Sequence, residues 1–185
     1  MTSLTKICSA ILVLVSFFIA PTLVAEPFKV GVIVPLSGPL AEYGTAIVNG
    51  ITLAKEQYPE KLKSCDFSIE DSAYKTTQAL AAFNKFHVSG GVGLVYTFGG
   101  PMGEALAPVA ESRRVPLIID HIDGKAVAGK SFVVRYANSK YEFGEVLTRS
   151  LIKRGIKRVG LMVVENQYID ALVSGFIAES KGQIE

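Results

Sequence analysis

The side chains best equipped for chemistry in this 185-residue chain are few and scattered. His87 and His121 are its two histidines; no motif joins them, and no cysteine stands at metal-ligand spacing from either. His87 closes a helical pattern, where a solvated or C-terminal imidazole is the ordinary role. His121 sits between Asp120 and Asp123, a setting that suits a base, a metal ligand or a loop residue that touches a ligand. We read it as ligand-contacting or loop-structuring, with an exported enzyme built on His121 and Asp120 or Asp123 as the lesser alternative. Ser37 lies in Leu36-Ser37-Gly38-Pro39, which is not the G-x-S-x-G of a nucleophile elbow. A pyrophosphate needs consecutive backbone N–H groups, and Pro35, Pro39 and Pro101 remove donors from the two glycine-containing turns where it would sit. No G-x-x-x-x-G-K-[ST] occurs. The residues therefore argue against phosphate binding, a cofactor, a metal centre and catalysis. What they offer is a small hydroxyl, Ser37, a glycine, Gly38, and an aromatic, Tyr43, crowded after a greasy strand.

The elements that must position those residues alternate in period. Phe28–Val34 is a continuous apolar run, as expected of a strand buried on both faces. Ile47, Ile51 and Ala54 then recur at helical spacing between Ala41 and Gln57. Phe67 and Ile69 mark a second strand, and Asp71-Ser72 after it can cap a helix. Ala79, Ala82, Phe83 and Phe86 share the face of that helix. Val92–Phe98 reads as a third strand, and Leu106, Val109, Ala110 and Arg113 as a third helix. Val115–Ile119 and Ser131–Arg135 read as further strands, with only the loop 121–130 between them. Phe143, Val146, Leu147 and Leu151 mark a helix face, Arg158–Val164 a sixth strand, and Ala171–Ser180 a last helix. Strand then helix, repeated, predicts an α/β fold: a parallel sheet with helices on both faces. Ligands of such sheets lie beyond the carboxyl ends of the strands, at loops 35–43, 98–103, 120–125 and 165–168.

Composition narrows the partners. Half the residues are hydrophobic (49%), enough for a sizeable core. The formal charge is +2, from 19 basic and 17 acidic residues without a run of either sign, so no nucleic-acid groove is expected. Residues 1–25 form a separate segment: Lys6 is the one charge before Glu26, Ile11 to Ala20 is almost wholly apolar, and Ala25 ends it. This reads as a secretory signal cut after Ala25, with an uncleaved anchor as the alternative. Cutting there removes Cys8 and leaves Cys65 alone, so no internal disulfide can form. Cys65 reads as a buried strand-edge residue rather than a nucleophile.

From Val34, "VPLSGPLAEYG" and then "NGITLAKEQ" resemble a type I periplasmic solute-binding protein of the leucine/isoleucine/valine-binding branch. "IEDSAYKTTQALAAFNKF", "GLVYTFGGPMGEALAPVAESRRVPLI" and "FVVRYANSKYEFGEVLTRSLIKRGIKRVGLMVVENQY" follow in the family's order, so the resemblance spans essentially all of 28–185. It implies two α/β lobes with a solute held between them, a periplasmic location, and delivery to the membrane permease of an ABC transporter. A ligand-sensing module on the same fold is the alternative. The membrane enters only through the signal segment and the permease. Residues 26–134 correspond to a first lobe and 135–185 to the start of a second, so that the chain resembles the family in truncated form, and a nonfunctional fragment is a further alternative. Tyr43 in "AEYG" and Tyr168 in "ENQY" match cleft tyrosines, although Ile169 stands where a glycine usually follows the second. Gly100-Pro101-Met102 aligns with the bend that usually supplies a serine to a solute carboxylate. Asp120-His121-Ile122-Asp123-Gly124 aligns with a loop that usually supplies a small residue and a threonine. Ser37, Tyr43, Gly100, Pro101, Met102, His121, Ile122, Asp123 and Tyr168 are the implied ligand-binding set. The acidic loop favours an amine, amide or hydroxylated solute over a free carboxylate. Arg135 is read as a hinge-proximal salt-bridge residue.

Overall fold

Strand β1 (Phe28–Val34) is apolar because it runs through the middle of the molecule, between β2 (Cys65–Asp71) and β3 (Leu94–Thr97). The computed structural model describes residues 26–89, 91–120, 127–164 and 167–185, and the expected signal in residues 1–25 lies outside them. The sheet has five strands in the order β2-β1-β3-β4-β5, every pair parallel, with β4 at Leu117–Ile119 and β5 at Val133–Arg135. The first five expected strands are present, and the last three of them are shorter than the apolar runs that announced them.

Alternation in β1 divides the core. Val30, Val32 and Val34 face helix α1 (Ala41–Gln57) through Ile47, Val48 and Ile51; the single turn α2 (Pro59–Leu62) follows. Ile33 faces α3 (Thr76–Val88) and α4 (Gly100–Arg113), whose Ala79, Ala82, Phe83, Leu106 and Ala110 complete the larger cluster. Gly31 has no side chain because the Phe86 ring occupies that space: a Cβ there would lie 2.5 Å from it. The Asp71-Ser72 pair does not cap α3 as expected. The helix begins after Lys75, without a side-chain cap. Asp71 instead turns back toward the loop after β1.

The remaining residues form α5 (Lys140–Lys153) and α6 (Gln167–Ser180), which pack on each other. The helix face read from the sequence does not hold them together: its Phe143, Val146 and Leu147 are exposed. The seam is made of small residues. A Cβ on Gly144 would lie 2.1 Å from the Leu172 carbonyl oxygen, and one on Gly175 2.0 Å from that of Tyr141. The two backbones touch there, and buried Thr148 brings its hydroxyl to 2.9 Å from the Gly144 carbonyl. Such close approach turns the bulkier face away from the crossing. The expected sixth strand, Arg158–Val164, also differs. A strand exists only as part of a ladder, and its pairing among the described residues is Val159 N–H to the Glu185 carbonyl (2.8 Å) and Glu185 N–H to that of Lys157 (2.9 Å). Leu161 to Val164 stay exposed.

Candidate functional site

Residues in one register row of a parallel sheet point to the same face. Val34 is paired with Asp71, and the rows through Ile33, Thr97, Ile119 and Arg135 are aligned. One residue further on, the ladder continues through Phe98 N–H to the Ile33 carbonyl (3.3 Å), Asp120 N–H to that of Thr97 (3.1 Å) and Tyr136 N–H to that of Ile119 (2.8 Å). The carboxyl rim thus carries one row across all five strands: Asp71, Val34, Phe98, Asp120 and Tyr136. Neighbours in it are about 5 Å apart, the spacing of strands.

An aromatic ladder stands on this row. Tyr43, in the first turn of α1, stacks on Phe98 with ring centroids 5.4 Å apart and planes at 18°. Tyr74 approaches the Phe98 ring at 6.4 Å and 52°. Tyr74 gets there through unusual backbone: Ala73 and Tyr74 have φ of 43° and 55°, the left-handed region that ordinary residues avoid. Side chains at the end of β2 and just after it hold them. Asp71 Oδ1 accepts the Ala73 N–H at 2.7 Å, and Ser72 Oγ accepts the Tyr74 N–H at 3.3 Å. Gly99 makes room for the ring: its φ is +96°, and a Cβ there would fall 2.6 Å from Tyr74.

The same Asp71 fastens the first loop. Oδ1 also accepts the Leu36 N–H at 2.7 Å and the Ser37 N–H at 3.3 Å, while Oδ2 accepts the Ser37 hydroxyl at 2.6 Å. Burial pushes this carboxyl up, but the Ser37 hydroxyl and the Ala73, Leu36 and Ser37 N–H groups outweigh that and hold it below its ordinary value. Farther along the row, half-buried Tyr96 donates its phenol to Asp120. Burial first, then the Asp120 charge and this hydrogen bond, push the phenol well above its ordinary range.

Of the residues singled out from sequence, Ser37 and Tyr43 lie on this rim, Tyr43 47% exposed and Ser37 with its hydroxyl proton directed to Asp71. Gly100 and Pro101 open α4 at the same edge. Met102 is a correction. It is 1% exposed and packs inward with Leu106 and Ala110, because the first turn of α4 aims it into the core, so it cannot line a solute. His121, Ile122 and Asp123 lie outside the described residues, as does the side chain of Tyr168, whose backbone is in α6. Arg135 reaches Glu142 at 3.5 Å, the salt bridge expected of it. Asp71, Tyr74 and Phe98 were missed. Phe98 had a signal, closing the apolar run Val92–Phe98 at the carboxyl end of the strand; the backbone reversal at Ala73-Tyr74 had none.

A family model described as periplasmic binding protein matches residues 27–181. The chain belongs to the periplasmic binding protein family. Among solved structures, the leucine-binding protein LivK of Thermotoga maritima is 25% identical, with a TM-score of 0.70 over 83% of this chain and 45% of its own. A solute-binding protein of an ABC transporter from Rhodopseudomonas palustris, solved with 3,4-dihydroxybenzoic acid, is 24% identical, with a TM-score of 0.70 over 87% of this chain and 46% of its own. A second from the same organism, solved with benzoate, is 23% identical, with a TM-score of 0.73 over 86% and 46%. The chain therefore spans less than half the length of these binding proteins. A possible leucine/isoleucine/valine-binding protein of Rhodopirellula baltica shares the fold as well. No curated protein sequence matches significantly. The sheet is that of a type I periplasmic binding protein, and its solved relatives are binding proteins rather than enzymes. Among the described residues, no helix is long and apolar enough to cross a membrane.

Proposed function

We propose that this periplasmic binding protein captures a small polar solute, an amino acid, amide or amine-like molecule, at the carboxyl rim of its sheet. It delivers that solute to the membrane permease of an ABC transporter. The observation that carries this reading is the Tyr43–Phe98 stack on a row of strand-end residues, next to loops with polar backbone and side chains. A half-exposed ring gives a solute a flat apolar wall, and the loops around it give it hydrogen-bond partners. The solute leaves unchanged, as the solved relatives are solute-binding proteins. Export through residues 1–25, with a cut after Ala25, would place the protein in the periplasm. Residues 135–185, from the end of β5 through α5 and α6, begin a second lobe that closes on the first. In that closed form Tyr43 is the wall, Ser37 accepts a hydrogen bond, and Gly100 with Pro101 shapes the edge. His121, Ile122, Asp123 and Tyr168 complete the enclosure.

Binding is tested by thermal unfolding of the purified chain with leucine, acetamide, putrescine, phenethylamine, 3-phenylpropionate, benzoate or glucose. A ligand at 100 times its dissociation constant adds about 2.7 kcal/mol to the folded state. At least one amine, amide or amino acid is expected to raise the melting temperature, and Tyr43→Ala to remove that rise. A cooperative transition that none of these compounds moves would contradict the proposal.

A further inference from the structure

Asp71 is tied through backbone to both outer rings of the aromatic ladder. On one side it holds the first loop, by the Leu36 and Ser37 N–H groups at 2.7 and 3.3 Å and the Ser37 hydroxyl at 2.6 Å. That loop sets the first turn of α1. The Gly38 carbonyl accepts the Ala41 N–H at 3.2 Å, and the Pro35 carbonyl lies against Gly44, where a Cβ would collide with it. Tyr43 stands between Ala41 and Gly44 in the chain, so the loop places its ring. On the other side Asp71 accepts the Ala73 N–H at 2.7 Å, and Tyr74 follows in left-handed backbone that an ordinary residue keeps only when held. The two sides also lie together: a Cβ on Gly38 would be 3.8 Å from the Ala73 carbonyl oxygen. Tyr43 and Tyr74 then meet one ring, Phe98, at 5.4 and 6.4 Å.

Both tethers have one origin. Oδ1 accepts three N–H groups, from Leu36, Ser37 and Ala73. The loop after β1 and the reversal after β2 therefore share an acceptor atom, and they cannot shift apart without losing a bond. A site gains affinity when its walls are preset, because every side chain that must be ordered on binding subtracts from it. Resting on the solute-binding reading above, we propose that Asp71 is a positioning residue of the solute site. It acts through Tyr43 and Tyr74 rather than by contact with the solute, and it fixes the placement of the two tyrosines about Phe98. What matters is where the acceptor atom stands, so the length of this side chain counts for more than its charge.

The experiment joins two measurements on the full chain. Near-ultraviolet circular dichroism reports the surroundings of tyrosine and phenylalanine, since the chain has no tryptophan. Calorimetric titration with leucine, acetamide, putrescine, phenethylamine, 3-phenylpropionate, benzoate and glucose reports affinity. Asp71→Ala removes the acceptor, Asp71→Asn keeps an acceptor oxygen at the same reach, and Asp71→Glu keeps the charge but moves it one methylene away. Val115→Ala, a core truncation just before the amino end of β4, controls for lost stability alone. Asp71→Ala and Asp71→Glu are expected to weaken every compound that binds wild type by about tenfold or more. Both should also lose the near-ultraviolet band that Tyr43→Ala loses, with far-ultraviolet spectra unchanged. Asp71→Asn should stay within about threefold of wild type, and Val115→Ala should match it. If Asp71→Ala does not fold, the contrast between Asp71→Asn and Asp71→Glu decides. Wild-type affinity or an unaltered near-ultraviolet spectrum in a folded Asp71→Ala or Asp71→Glu, or equal weakening by Val115→Ala, overturns this assignment and leaves solute binding standing. Binding of none of the seven compounds by a cooperatively folded wild type overturns both.

Discussion

Replacing Asp71 by alanine removes one side chain and unfastens two loops. Four hydrogen bonds between 2.6 and 3.3 Å end on its two oxygens. The carboxylate is open to solvent, so each bond is taken at the low end of the usual net value, about 0.5 kcal/mol. The sum is about 2 kcal/mol of lost stability, measurable by urea unfolding followed by far-ultraviolet circular dichroism. Ser37→Ala loses the hydroxyl bond alone and should cost about 0.5 kcal/mol in wild type and nothing in the Asp71→Ala background. Titration adds an independent check. The folded Asp71 carboxyl is held below its ordinary value of 3.8, so its contribution is present above that pH and is lost as pH falls through the folded value. The advantage of wild type over Asp71→Asn should therefore shrink on acidification below about pH 4, while remaining level from pH 5 to 7. An Asp71→Ala protein as stable as wild type, or a Ser37→Ala effect of equal size in both backgrounds, would refute the clamp.

Gly144→Ala and Gly175→Ala each drive a Cβ to within 2.1 Å of a carbonyl oxygen, and each should lower stability by about 1–3 kcal/mol or more in urea unfolding. Gly50→Ala, in α1 with open space around it, should raise stability by about 0.5–1 kcal/mol in the same assay. Met102→Ala should cost about 2–5 kcal/mol of stability because it empties a core site; any solute that binds should keep its place in the affinity ranking, read by calorimetry. Gly99→Ala should displace the Tyr74 ring and, at φ +96°, strain the backbone by about 1–3 kcal/mol, read as a lower melting temperature.

Most of the fold was legible from residue order. The run Phe28–Val34 could only be a central strand, because seven residues with no polar side chain but Lys29 have to be covered on both faces. Ala79, Ala82, Phe83 and Phe86 share a helix face at any tertiary arrangement, and all are buried. Local periodicity carries that information because it depends on the 3.6- and 2-residue repeats alone. It located α5 through Phe143, Val146 and Leu147 but, being local, said nothing of the seam with α6, which formed where Gly144 and Gly175 let two backbones touch.

The chain order alone determined which loops lie at the carboxyl ends of the strands, and so that Ser37, Tyr43, Gly100 and Pro101 share one edge. It did not determine what stands between them. Asp71, Phe98, Asp120 and Tyr136 fall in one row because the strand order is β2-β1-β3-β4-β5 and the register aligns the strand ends. Strand order and register are long-range choices, made by packing the whole sheet against its helices. The use of Asp71 as a clamp rather than a helix cap depends on a loop 34 residues away in sequence. A carboxylate's local sequence names what it can accept; only the tertiary structure decides which donors arrive.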